Sequence, residues 1–264
     1  MKKSFLYRLI MFAGRIICPR SRVVYETVPD ECPGIFVCNH SAIRGPVMMT
    51  LYFDRPHKPW VITYALDKEK TPDFAFHDFF VGEGRRHKRF WRFISKIVGK
   101  VLPQVLNEAG AIPVYHDSRA LRTVRESIDA LNNGCDLVIF AESPVKYSEY
   151  VNELQTGFVD VGALYYKRTG KLLKYYPVYV EKKNRKISVG SPVVYDPSLG
   201  IADQRSAVAE YLKTGIDRLA REMKPHKPVP FLPQRWYDVY GRYEKDFDAY
   251  WRSFEGDGPI SGGK

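Results

Sequence analysis

The 264-residue chain predicts an α/β fold: a mostly parallel central sheet flanked by helices on both faces. Three observations predict it. Short apolar runs of strand length recur at 35–38, 60–64, 136–140 and 175–180. They are mostly continuous apolar runs instead of alternating, the pattern of strands covered on both sides. Segments of helical period about 10–20 residues long separate the strands, the order of a parallel sheet. The first run also stops abruptly at Asn39-His40. That sets an imidazole at the carboxyl end of a strand, where open parallel sheets place their ligands.

Taken in order, residues 5–17 gather Phe5, Leu9, Phe12, Ala13 and Ile16 on one side of a helix, with Arg8 and Arg15 on another. Bulky apolar and basic side chains together make an interfacial helix, so 1–19 is expected to touch a membrane surface. Docking on its own domain is the alternative. The segment imitates a signal peptide, but the two arginines interrupt it and no small-x-small cleavage site follows. The main domain is expected over 20–224. A short strand at 23–25 and a turn-rich link lead to the strand at 35–38. Gly45-Pro46 blocks a helix from Ser41, and one restarts with Pro46 as its first residue and covers 47–53. A second buried strand occupies 60–64. Residues 67–83 look irregular and crowd Phe74, Phe76, Phe79 and Phe80 together.

The spacing predicts a helix over 85–106 with Phe90, Ile94, Ile97, Val101 and Val105 facing inward. Arg85, Arg86, Lys88, Arg89 and Arg92 at its start form the densest positive patch in the chain. A strand follows at 110–115. Ser118 then caps a helix with Leu121, Val124, Ile128 and Leu131 inward, and Asn133-Gly134 stops it. The strand at 136–140 runs into Ala141-Glu142-Ser143. Beyond it come a helix over 157–167, strands at 175–180, 186–189 and 193–195, and an amphipathic helix over 203–223. After Lys224 the composition changes. Trp236, Tyr240, Tyr243, Phe247, Trp251 and Phe254 recur every three or four residues. The expectation for 225–255 is a helical extension with an aromatic stripe, packed on the core or set at a membrane interface. The Gly-rich 256–264 is expected to be disordered.

Composition narrows the function. Lys+Arg number 41 and Asp+Glu 30, a net charge of +11. Such an excess suits nucleic acid, an anionic membrane or a phosphorylated substrate. No nucleic-acid recognition motif accompanies it, so no nucleic-acid partner is expected. The four cysteines show no Cys-x-x-Cys spacing, which argues against zinc and suits a reducing cytoplasm. No apolar run reaches the roughly 18–20 residues of a membrane span, so the expected location is cytoplasmic, peripheral on the membrane. Phosphate-loop, dinucleotide-binding, zincin and Gly-x-Ser-x-Gly motifs are all lacking, which leaves those enzyme classes without support.

His40 leads the candidate catalytic residues, since a histidine at a strand end can take a proton from an alcohol. Glu142 is the second, on the same sheet edge if its strand neighbours the first. It would orient a histidine or bind a substrate hydroxyl. Basic residues His116, Arg119, Arg122 and Lys146 are candidates to hold a phosphate by charge-assisted hydrogen bonds. Asn39, Ser41 and Ser143 complete the substrate-binding set.

In order and spacing these residues resemble the glycerolipid acyltransferase superfamily, whose members include 1-acylglycerol-3-phosphate acyltransferases. The family block Asn-His-x-x-x-x-Asp reads Asn39-His40-Ser-Ala-Ile-Arg-Gly45. Gly-x-Ile-x-Val-x-Arg reads Gly110-Ala-Ile112-Pro-Val114-Tyr-His116. Phe-Pro-Glu-Gly-Thr-Arg reads Phe140-Ala-Glu142-Ser-Pro-Val145, and a Val/Ile-Pro-Val block reads Tyr176-Pro177-Val178. The resemblance covers about residues 20–195 and implies a glycerol-3-phosphate acyltransferase-like fold. It also implies a function: moving a fatty acyl group from acyl-CoA or acyl carrier protein to a hydroxyl of a lysophospholipid such as lysophosphatidic acid. The histidine would be the general base, and no metal or other cofactor is needed. The departures are specific. The family aspartate falls on Gly45, and the two motif arginines fall on His116 and Val145. By analogy with triads, losing the aspartate that orients the histidine costs about 10⁴-fold in rate, unless Glu142 or a carboxylate from 67–78 replaces it. The alternative is a catalytically degenerate relative that binds lipid or acyl chains.

Overall fold

The computed structural model describes residues 3–18, 20–143, 149–229 and 231. Lys146, nearly all of the expected aromatic extension and the expected tail lie outside the described residues. In chain order the elements are α1 (Phe5–Ile17), β1 (Arg22–Tyr25), β2 (Ile35–Cys38), α2 (Arg44–Tyr52), β3 (His57–Ile62), α3 (Thr71–Phe74) and α4 (Lys88–Ala109). There follow β4 (Ile112–Val114), α5 (Ala120–Asn132), β5 (Asp136–Ile139), α6 (Asp160–Thr169), β6 (Lys174–Glu181), β7 (Lys186–Val189), β8 (Val193–Val194) and α7 (Ile201–Arg221).

The strands form one sheet in the order β1-β7-β6-β2-β5-β3-β4, with β8 also paired to β6. The run β6-β2-β5-β3-β4 is parallel, with Phe36 opposite both Val138 and Tyr176. At one edge β7 runs antiparallel to β6 and carries β1 alongside it, and β8 is antiparallel as well.

Both faces are covered, which is why β2 is apolar at every position. Ile35 and Val37 pack with Ile128 and Leu131 of α5, Val161 and Tyr165 of α6, and Leu212 and Ile216 of α7. Phe36 and Cys38 point the other way, toward Met48 and Met49 of α2. Farther along that second face, Val61 and Ile62 meet Phe74, Leu102 and Leu106. Helices therefore sort by the direction in which the chain crosses the sheet. Steps from β2 to β3 and on to β4 put α2, α3 and α4 on one face. The return steps, from β4 to β5 and on to β6, put α5 and α6 on the other. Right-handed crossovers require this sorting. At the neighbouring carboxyl ends of β2 and β5 the chain leaves toward opposite faces, which opens a crevice between them. The opposite end of the same strand pair is clamped by Asp136, 1% exposed. It accepts the Gly34 N–H at 2.8 Å and Arg55 Nε at 2.6 Å.

Several expected boundaries move. Helix α2 starts at Arg44, so Pro46 is its third residue and not its first. The strand expected at 60–64 is displaced toward its start, because Thr63–Ala65 turns into a 3₁₀ segment. Residues 67–83 hold α3 and a π-turn over Ala75–Phe79. Ser118 is not a cap. Helix α5 begins at Ala120, after an Asp117 turn in which Asp117 Oδ1 accepts the Arg119 N–H at 2.8 Å. Helix α4 turns only part of the expected side inward: Val105 is buried and Ile94 and Val101 half-buried as expected, but Phe90 and Ile97 are exposed, and Ser95, Gly99 and Pro103 are buried in their place. Small residues decide this. A side chain on Gly99 would collide with the Pro72 ring, so α4 lies close against α3 along its narrow side.

Candidate active site

The crevice brings His40 and Glu142 together. His40 follows β2 and Glu142 follows β5, its direct neighbour. The loop after His40 sets the imidazole. Ser41 and Ala42 both take the left-handed conformation, with φ of 47° and 52°. That is uncommon for residues other than glycine and is a form of strain that gathers at functional sites. The double turn carries the chain back so that the Ala42 carbonyl oxygen meets His40 Nδ1. A carbonyl can only accept, so Nδ1 carries the proton and the Nε2 lone pair remains to take one. The residue keeps part of its surface open, yet its ring has aromatic neighbours. Phe140 lies with its centroid 5.4 Å away and Phe231 at 4.2 Å, each edge-on. Burial pushes the imidazole down to about 4, with the bond to Ala42 pulling the other way. The imidazole is thus neutral at physiological pH.

Glu142 lies 5% exposed and contacts His40 through the main chain, not the ring. Its Oε1 accepts the His40 N–H, and its Oε2 accepts the Asn152 N–H at 3.0 Å. Burial pushes its carboxyl up to about 7, against the pull of those two hydrogen bonds. Glu142 therefore holds the backbone from which the imidazole projects.

The side chain of Asn39 extends the sheet. Its Oδ1 accepts the Val180 N–H at 2.6 Å and its Nδ2 donates to the Val180 carbonyl at 3.3 Å. Ser41 is buried within the strained loop. Ser143 is fixed through its backbone, donating to the Glu153 carbonyl at 2.7 Å and accepting from Asn152 Nδ2 at 3.2 Å. The expected phosphate group lies apart from these. His116, Arg119 and Arg122 follow β4, three strands from β2, about 14 Å away at the usual strand spacing. Arg119 pairs with Asp117 and sits 4.5 Å from the Tyr115 ring, and Arg122 pairs with Glu126 at 2.7 Å. Lys146 lies outside the described residues. Among the described residues no three His, Cys, Asp or Glu side chains converge as metal ligands would.

Two contributors were not legible in the sequence. Ala42 acts through a carbonyl, which every residue type carries. Phe231 arrives from the far end of the chain, announced only by the proline-rich Lys224-Pro-His-Lys-Pro-Val-Pro that precedes it. No family model and no curated protein matches the chain. Among solved structures, the chain is similar to the crystal structure of the 1-acyl-sn-glycerophosphate (LPA) acyltransferase, PlsC, from Thermotoga maritima. The identity is 16%, over 83% of this chain and 81% of that one, with a TM-score of 0.43.

Proposed function

We propose that the chain is an O-acyltransferase working at a membrane surface, with His40 as general base. One observation carries this: an imidazole locked as the Nδ1–H tautomer by Ala42, at the switch point of a parallel sheet. Four sequence blocks in the family order support it. In the reaction, His40 Nε2 takes the proton of an acceptor hydroxyl as its oxygen bonds to the carbonyl carbon of an acyl thioester. The C–S bond then breaks and the leaving thiolate takes the proton back from the imidazolium. Glu142 holds the His40 backbone, so the base needs no rearrangement as charge develops. The donor is acyl-CoA or acyl carrier protein, and the acceptor a lysophospholipid of the glycerol-phosphate type. Arg119 and Arg122, paired with Asp117 and Glu126 three strands from β2, lie too far off to hold the phosphate of an acceptor whose hydroxyl sits at His40. Backbone N–H groups near 144–146, outside the described residues, would donate to the oxyanion.

The membrane part rests on α1. Its apolar stripe faces outward, with Phe5 73% and Ile16 70% exposed. No helix among the described residues is long and apolar enough to cross a membrane. The test is to incubate the protein with labelled acyl-CoA or acyl carrier protein and a panel of lysophospholipids on vesicles, and to look for diacyl product. His40→Ala is expected to lower transfer by about 10²-fold or more with unchanged circular dichroism. A fully active, folded variant rejects the assigned base.

One observation favours a second reading, a lipid- or acyl-binding protein without turnover. The ring is oriented by a carbonyl instead of a carboxylate, and its basicity is depressed. Saturable binding of acyl-CoA or lysolipid with no product under any donor would select it.

A further inference from the structure

The segment after α7 returns across the sheet edge to the crevice. It is anchored first at His226. Its Nδ1–H donates to the Lys224 carbonyl at 2.9 Å, which leaves Nε2 to accept the Tyr179 hydroxyl at 2.8 Å. The Tyr150 hydroxyl donates to the His226 carbonyl at 3.2 Å, and both tyrosine rings flank the imidazole. Tyr179 belongs to β6, the strand beside β2, so the anchor sits next to His40's own strand. From there the sequence Pro225-His-Lys-Pro228-Val-Pro230 leads to Phe231. Pro225 and Pro228 stiffen the tether, and a stiff tether loses little conformational entropy when its end docks. That end is the Phe231 ring, perpendicular to the His40 ring at 89° with a 4.2 Å centroid separation.

We propose that Phe231 caps the His40 crevice and keeps bulk water off the base, so that the thioester reacts with the bound alcohol and not with water. The proposal rests on the acyltransferase reading for its chemical consequence. If water enters, its proton goes to His40 Nε2, its oxygen bonds to the acyl carbon, and the C–S bond breaks to give free fatty acid and thiol. That side reaction consumes the donor without product. A ring laid against the imidazole opposes it by occupying the place of solvent.

The full-length protein with Phe231→Ala tests the cap, with Phe231→Leu as the apolar control. The ionisable groups around the crevice remain in both: Glu142 after β5, Tyr179 on β6, His226 on the strap and the exposed Arg44 on α2. Three readouts are compared with the unaltered protein. They are the rate of diethylpyrocarbonate modification of His40, its NMR titration midpoint assigned with His40→Gln, and the ratio of thioester hydrolysis to acyl transfer. With Phe231→Ala, modification is expected to be several-fold faster, the midpoint to rise by about one unit as water returns, and hydrolysis to gain on transfer. Phe231→Leu is expected to stay near the unaltered protein. A folded Phe231→Ala protein with modification rate and midpoint unmoved overturns the cap. Should that variant fail to fold, the double variant Tyr150→Phe, Tyr179→Phe decides, since it removes only the two hydroxyls that hold His226; an unmoved modification rate there overturns the cap equally. The first two readouts need no turnover, so failure of the acyltransferase reading and failure of the cap are separable.

Discussion

A single hydrogen is all that fits on the α-carbon of residue 45. A Cβ there would stand 2.5 Å from the Asn39 carbonyl oxygen and 2.6 Å from that of His40, both backbone atoms with nowhere to go. The Gly45 N–H also donates to the His40 carbonyl at 3.0 Å, which closes the loop that presents Ala42. Restoring the aspartate of the resembled motif should therefore do harm. Gly45→Asp is expected to cost about 2 kcal/mol in urea unfolding, the scale of an overpacked core, and to lower any acyl transfer. A gain in rate would show that an aspartate can reach the imidazole after all. The two ionisable groups that meet in the crevice, Glu142 and His40, also set opposing pH dependences. Glu142 titrates near 7 when folded, against an ordinary 4.5, so the folded state keeps a proton that the unfolded chain has released. Its term lowers stability as pH rises from about 4.5 to 7. His40 titrates near 4, against 6.5, so the unfolded chain takes up a proton first as pH falls. Its term lowers stability as pH falls from about 6.5 to 4. Between pH 4.5 and 6.5 the two nearly cancel. His40→Gln removes one of them. Relative to the unaltered protein, the variant should be about 2 kcal/mol more stable at pH 5 than at pH 8. Urea unfolding at the two pH values reads this directly, and parallel curves would refute the depressed imidazole.

Among the elements, what the sequence made legible depended on how each one buries its residues. Ile35–Cys38 is buried at all four positions, and its continuous apolar run announced a strand covered twice. From the strand followed His40 at its end, and from the next buried run Glu142. Helix α4 was legible as a helix but only partly in its orientation, since Val105 turns inward as expected and Phe90 and Ile97 do not. Counting bulky apolar residues selects Phe90 and Ile97 for the core, yet contact with α3 is made where Gly99 meets Pro72. Close approach favours small residues, which carry no hydrophobic signal in the sequence. The loop Ser41–Ala42 was harder still. Neither residue prefers φ above zero, so its shape is imposed by packing, and the atom it delivers is a carbonyl with no side-chain signature. Glu142 was legible by position and not by partner. Sequence places a carboxylate at the sheet edge, but whether it meets a ring or a backbone N–H depends on that same loop.

For the molecule as a whole, the +11 charge and the outward stripe of α1 make one electrostatic and hydrophobic design. Helix α1 is held by its other side. Ser4 caps it and bonds Glu108 of α4 through both its N–H and its hydroxyl at 2.7 Å, and the Tyr52 hydroxyl ties down the Cys18 carbonyl. That anchoring leaves Phe5, Leu9, Phe12 and Ile16 facing outward, the side that meets lipid in the function proposed above. On α4, Phe90 and Phe93 are likewise exposed beside Lys88, Arg89 and Lys96. Full burial of a large apolar side chain is worth roughly 2 kcal/mol, and a basic residue near an anionic leaflet about 1 kcal/mol. In the proposed membrane contact the apolar contribution would therefore dominate for α1, and the basic one would set lipid preference. The double variant Phe12→Asp, Ile16→Asp should lose about 10²-fold or more in partitioning to phosphatidylglycerol-containing vesicles in a flotation assay. Arg8→Gln with Arg15→Gln should lose about 30-fold, and only on anionic vesicles. Raised salt should reproduce the second loss and leave the first largely intact, because counterions screen charge and not apolar burial. A protein retained on DNA but not on vesicles at physiological salt would contradict the membrane assignment. Equal retention of the double aspartate variant would show that the stripe on α1 is not what meets the lipid.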